Sequence, residues 1–158
     1  MKKLFLVSLL MGILMGCSNQ TKGEFLLGEF GFELQANESY HMVVPIEWTG
    51  ESTVTIQSIE LLKDEKTPIS YEEDGIEYEF FSAEPLKQSG IYKGREDIGD
   101  IKSLRDFELD GEGKIVMKLS TGDVKKDNTR RVKINYEIDG EEHQKLVKWQ
   151  TLEQLSTN

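Results

Sequence analysis

Residue-by-residue alternation of apolar and polar side chains most restricts this chain, because a strand with one buried face has that period. Val132, Ile134, Tyr136 and Ile138 alternate with Lys133, Asn135 and Glu137. Asp139-Gly140 follows, a preferred two-residue hairpin turn, and the return strand runs through Val147 and Trp149. Tyr40, Met42, Val44, Ile46 and Trp48 share one face, with His41, Pro45 and Glu47 on the other. Pro45 predicts an edge or a bulge there. From Thr53 to Leu62 the apolar set begins at Val54 and Ile56 and moves to Ile59 and Leu61. That slip near Gln57-Ser58 predicts a bulge or a change of sheet. Ile76, Tyr78 and Phe80 alternate with Glu77 and Glu79, and Ile115, Met117 and Leu119 with Lys114 and Lys118. A further strand is expected from Leu26 to Leu34, with Phe30, Phe32 and Leu34 facing inward.

Seven to eight short strands separated by turn signals predict an all-β fold, an antiparallel β-sandwich. The pattern fails between Ala83 and Arg105, where Pro85, Gly90, Gly94 and Gly99 interrupt it. Within that irregular segment the spacing of Ile98, Ile101 and Leu104 suits one short helix.

The N-terminus has a different grammar. Met1-Lys2-Lys3 is basic, and the run Leu4 to Leu14 is apolar apart from Ser8 and Gly12. Eleven helical residues span about 16 Å, against roughly 30 Å of hydrocarbon, so the run is too short for a permanent span and suits a secretory signal. It ends in Leu14-Met15-Gly16-Cys17, and Cys17 is the chain's one cysteine. This resembles the lipobox of bacterial lipoproteins, with Leu three places before the cysteine and a small residue directly before it. The resemblance implies that a diacylglyceryl group is added to the Cys17 thiol, that cleavage falls just before it, and that two acyl chains give stable anchoring. Met15 departs from the commoner Ser, Ala, Thr or Val at its position.

The expected organisation is therefore a cleaved signal over 1–16, a lipidated cysteine and tether over 17–23, and one β-sandwich domain over 24–158. Polar residues 18–23 would hold the domain about 12–15 Å from the anchor. The expected location is the extracytoplasmic face of the cell membrane. The strand spacing and the phrase Ile46-Glu47-Trp48-Thr49-Gly50 also resemble small surface lipoproteins of Gram-positive bacteria with an immunoglobulin-like domain, a likeness that implies no activity.

Charge bears on partners. The whole chain carries 29 acidic and 19 basic residues, a formal −10; without residues 1–16 it keeps 17 basic residues and a formal −12. A phosphate backbone is repelled by that field, so nucleic acid is not an expected partner. An anionic membrane repels it too, which makes the lipid on Cys17 the expected tie to the membrane. No disulfide can form within a chain with one cysteine, so the domain depends on packing.

Catalytic and metal chemistry lack their usual parts. The two histidines, His41 and His143, stand far apart in sequence, and there is no C-x-x-C, H-x-H, H-E-x-x-H, G-x-S-x-G or phosphate-binding glycine loop. A two-residue turn at Asp139-Gly140 would set His143 opposite Tyr136, an aromatic cross-strand pair. Asp106, Glu108 and Asp110, with Gly111, match the first half of a calcium loop, but Met117 stands where the bidentate Glu belongs. A hairpin turn at Asp110-Gly111-Glu112-Gly113 explains those residues instead, and Glu72-Glu73-Asp74-Gly75 is a second acidic turn. Lys125, Lys126, Arg130, Arg131 and Lys133 form the single basic cluster, read as a solvated turn that neutralises neighbouring acids. The expectation is a non-enzymatic binding or interaction module without a cofactor, facing an envelope protein or wall polymer. The alternative is a metal-handling protein or a hydrolase whose residues meet only in the fold.

Overall fold

The computed structural model describes residues 22–84, 88–93 and 98–158. The signal, Cys17 and most of the tether lie outside the described residues. In chain order the strands are β1 (Phe25–Leu27), β2 (Glu38–Trp48), β3 (Val54–Lys63), β4 (Thr67–Pro68), β5 (Ile76–Glu84), β6 (Gly90–Lys93), β7 (Asp100–Ser103), β8 (Phe107–Leu109), β9 (Glu112–Thr121), β10 (Arg131–Ile138) and β11 (Glu141–Val147). Two single-turn helices, α1 (Tyr71–Asp74) and α2 (Gln150–Glu153), complete the described elements.

Two antiparallel sheets pack face to face. The first runs β1-β2-β9-β5-β7, with β6 also paired to β2; the second runs β11-β10-β3-β4, with β8 also paired to β3. Strands β1-β2-β9-β5 stand in the A-B-E-D order of an immunoglobulin-like sandwich, and β11-β10-β3 in its G-F-C order. Strands β6, β7 and β8 all fall in the connection between the D and E positions. The segment that breaks the sequence pattern is thus an insertion into an otherwise regular sandwich.

The period-2 pattern builds the core. Tyr40, Met42, Val44, Ile46 and Trp48 from β2 meet Ile115, Met117 and Leu119 from β9 on the inner face of the first sheet. Val54, Ile56, Ile59 and Leu61 from β3 and Val132, Ile134 and Tyr136 from β10 face them from the second. Burying each such side chain stabilises the fold by about 1.5–3 kcal/mol. Phe25, Trp48 and Tyr136 form an aromatic triangle with ring centroids 4.7, 5.0 and 5.5 Å apart. The Leu61 N–H donates to the Tyr78 hydroxyl at 2.9 Å, a bond that links the two sheets.

Local details follow the residues. Asp139 (φ 51°) and Gly140 (φ 80°) are both left-handed, as a type I′ turn requires, and Tyr136 pairs with His143 across the hairpin. The bulge lies where the apolar set slips: Tyr136 pairs with Ile56 and Asn135 with Ser58, leaving Gln57 extra. Pro45 is not in a bulge; it stands in a gap of the β2 edge, between β1 opposite residues 46–48 and β6 opposite residues 40–43. Its carbonyl accepts from the Gly28 N–H at 2.9 Å, so its missing donor faces the β1 side, beyond the end of β6, and no bond to β9 is lost.

Four expectations are corrected. Residues 28–34 do not continue β1; Phe30 and Phe32 pack against the core from an unpaired segment, and Leu34 makes one isolated bridge to Thr157. The β2 edge that this segment would need is taken at residues 40–43 by β6. No helix occurs among the described residues from Ala83 to Arg105, where β6 and β7 stand instead; Ile98 and Leu104 are both buried, but in different clusters. Asp110-Gly111 is not a hairpin turn, because β8 pairs with β3 whereas β9 pairs with β2 and β5; the turn crosses between sheets. The strands number eleven among the described residues, the surplus coming from β4, β6, β7 and β8, each four residues or fewer and too short to show a period.

Candidate binding surface

The strand register orders the outer face of the first sheet into rows. Leu26, Glu47 and Glu112 are cross-strand partners at the end where the described chain begins. Pro45 and Lys114 form the next outward pair, beside Gly28. Val43, Val116 and Phe81 follow, then His41, Lys118 and Glu79, then Ser39, Ser120 and Glu77. The middle of this face is apolar.

Val43 and Val116 are both 0% exposed, although they point away from the core between the sheets. They form a second, separate cluster with Ala83 and Ile98, and Phe81 and Tyr92 pack against it. Strand β6 and Ile98 belong to the insertion, so the insertion is what covers this patch. The signal was present in the sequence. Met42-Val43-Val44, Ile115-Val116-Met117 and Phe80-Phe81 are unbroken apolar runs, and such runs mark a strand covered on both faces.

Where the insertion's cover stops, an open groove of about 630 Å³ begins, lined by Leu26, Leu27, Gly28, Pro45, Ile46 and Lys114, with Glu47 and Glu112 at its side. Leu26 is 51% exposed, one of three large apolar side chains left in solvent among the described residues. A groove of this kind, mostly apolar with charges of both signs beside it, accepts an apolar group and orients it by its polar neighbours.

The residues singled out by sequence do not converge. His41 lies on the outer face as expected but is only 5% exposed, buried opposite Tyr92 of β6. His143 is in the other sheet, its ring centroid 5.6 Å from that of Tyr136. Asp106 (φ 64°), Glu108 and Asp110 are all exposed along β8 and its flanks. Among the described residues no group of three His, Cys, Asp or Glu side chains is arranged to hold a metal ion.

The acidic turn 72–75 is α1. Ser70 accepts from the Glu73 N–H at its start, and Gly75 (φ 67°) closes it in the left-handed conformation. A Cβ at Gly75 would meet the Asp123 carbonyl oxygen at 2.7 Å, so position 75 admits no other residue cheaply. Glu73 and Asp74 both accept from Lys63 Nζ, at 2.8 and 3.0 Å, and these bonds hold the Lys63 ammonium above its ordinary pKa.

The basic cluster is largely absorbed by partners. Arg131 pairs with Glu153 at 2.8 Å and Lys133 with Glu60 at 2.9 Å. Arg130 is 2% exposed and donates to the carbonyls of Leu152, Leu155 and Lys125 at 3.3, 3.1 and 2.7 Å. Burial pushes its guanidinium downward in pKa, and the charges of Asp127 and Asp74 push back. Arg130 thereby fastens the C-terminal segment. At the other end of α2, Glu29 accepts from the N–H groups of Gln150 and Thr151 and from the Thr151 hydroxyl. These bonds fasten this end of the sandwich, beside an open groove of about 670 Å³ lined by Glu29, Phe30, Phe32, Lys126, Gln150 and Thr151.

No protein-family model, no curated protein and no solved structure matches the chain. Its immunoglobulin-like order therefore rests on the strand pairing itself.

Proposed function

We propose that the chain is a lipid-anchored protein of the extracytoplasmic membrane face whose sandwich acts as a non-enzymatic binding module. The anchor is lipid on Cys17, and the working surface is the outer face of the first sheet. What carries this reading is the apolar patch on that face: Val43 and Val116 lie under β6 and Ile98 of the insertion, and the groove beside them is open at Leu26 and Pro45. An open, mostly apolar groove with charges of both signs beside it marks a place where something else docks.

The anchor supports the reading by proximity. Glu24 exchanges bonds with Thr49, and Gly23 lies against Trp48, so the tether meets the sandwich at the end bearing the 48–54 connection. The groove, which includes Leu26, opens close to that same end. No helix among the described residues is long and apolar enough to cross a membrane.

Two experiments test the proposal. Changing Cys17 to Ser should release the protein from the membrane fraction or leave it unprocessed; a variant that matures and stays bound defeats the anchor. A photo-reactive residue at Leu26 should cross-link an envelope component in living cells, while one at Glu60, on the second sheet, should not. Equal labelling from both positions defeats the binding surface.

A further inference from the structure

The β2 strand has two unlike edges. Along β9 it is paired without interruption from Glu38 to Glu47. Its other edge is shared by β1, opposite residues 46–48, and β6, opposite residues 40–43. The phase of the ladder is set by two bonds: Trp48 N–H to the Gly111 carbonyl on the β9 side, and Gly28 N–H to the Pro45 carbonyl on the β1 side. Odd-numbered β2 residues therefore direct N–H and C=O toward β6, and even-numbered ones toward β9. The groups that β6 satisfies are those of His41 and Val43.

Strand β6 is lightly held. It has four residues, none of them buried. Ile91 reaches the inner core and Tyr92 the outer cluster, each half-buried. The Tyr92 hydroxyl donates to the Gln88 carbonyl at 2.7 Å, a bond within its own segment. Lys93 pairs with Glu38 at 2.8 Å, with 58% and 36% of the two side chains exposed, and surface pairs of that kind contribute little. The ladder cannot lengthen past Val43, because the next residue in phase is Pro45, without a donor.

We propose that β6 is a stand-in strand, and that the β2 edge beneath it receives an extended segment of a partner polypeptide. The occupant's chemistry is written in β6 itself: an apolar residue facing inward, an aromatic facing outward over Val43 and Val116, then a cation for Glu38. A longer segment runs on past Val43 into the groove between Leu26 and Lys114, so the edge and the groove form one site. Main-chain bonds to His41 and Val43 supply affinity, and alternate side chains supply selectivity. This inference rests on the reading of the chain as a binding module.

Amide hydrogen exchange on the full chain in detergent micelles tests it. The N–H groups of His41 and Val43 should exchange at least tenfold faster than those of Met42 and Val44, their neighbours in the same strand. Equal protection overturns the proposal, and that readout does not depend on any partner or on the cross-linking above. In the Ile91→Ser, Tyr92→Ser double variant, the synthetic peptide Gln-Ser-Gly-Ile-Tyr-Lys, the sequence of residues 88–93, should slow exchange at His41 and Val43. The same peptide with Ser at its Ile and Tyr should not. No slowing overturns the proposal, and so does a concentration-dependent dimer that protects those amides without peptide, which assigns the edge to a second copy.

Discussion

Val43 and Val44 are neighbours on β2, both buried to within a per cent of completely, yet they belong to different parts of the molecule. Val44 faces the other sheet within a cluster of 26 buried side chains among the described residues, drawn from strands on both sides of the sandwich. Val43 faces outward into a cluster of four, roofed by an insertion. Equal burial does not mean equal support. The inner cluster is held from many directions and cannot relax around a lost atom, whereas the outer one is covered by short elements that can settle inward. The comparison also separates scaffold from surface: the inner side is where the fold is specified, and the outer side is where a ligand can compete with the protein's own cover.

The largest effect belongs to the end of the inner core that Arg130 fastens. Replacing Arg130 with Ala takes the guanidinium donors from the buried Leu152 and Leu155 carbonyls and the part-buried Lys125 carbonyl and leaves a void, which should destabilise the fold by about 4 kcal/mol. Urea unfolding with tryptophan fluorescence measures it. Trp149 directly precedes α2 and its indole N–H donates to the Gly28 carbonyl, so a loose C-terminal segment would also show in the emission. A loss under about 1 kcal/mol would mean that this end is not part of the cooperative unit.

Next comes the direct contrast on β2. Val44→Ala should cost about 2.5 kcal/mol and Val43→Ala about 1 kcal/mol, for the same two methyl groups removed from equally buried positions. Both follow from urea midpoints at constant m-value. Equal losses would break the distinction between the two faces, because the outer cluster would then be as rigid as the inner one.

How much of this was legible follows the same line. The hairpin at Asp139-Gly140 and the slip at Gln57 could be read because period and turn chemistry are local. The pairing of Tyr136 with His143 followed from counting back from the turn. The outer patch was legible too, in Val43 and Val116, where the alternation breaks on paired strands. Other features depend on partners distant in sequence. Glu29 caps a helix 121 residues away, and nothing beside Trp149 announces that helix. Strand β8 joins the second sheet rather than pairing with β9, with Phe107 and Leu109 close against Gly113, and the turn between them does not announce it. Short strands such as β6 are too brief to show a period and depend on the edge they pair with.

The smallest effect sharpens the contrast through pH. Burial alone would raise the Asp127 carboxyl, but the N–H and hydroxyl of Thr129, at 2.8 and 2.7 Å, together with the Arg130 charge, outweigh it and hold the pKa below the ordinary value. A folded pKa below the unfolded one means that the contribution is complete above about pH 4 and drains away as pH falls through the folded value. Asp127→Asn should therefore be less stable than the parent at pH 7, with the gap closing toward pH 2.5 in paired urea titrations. Because Asp127 acts at the end fastened by Arg130, protonating it below about pH 4, or replacing it with Asn at pH 7, should leave exchange at His41 and Val43 unchanged relative to Met42 and Val44, after correction for intrinsic rates. If exchange at His41 and Val43 instead accelerates in step with Asp127 protonation, or in Asp127→Asn at pH 7, the two regions are coupled, and the cover over Val43 answers to the same core that holds Val44.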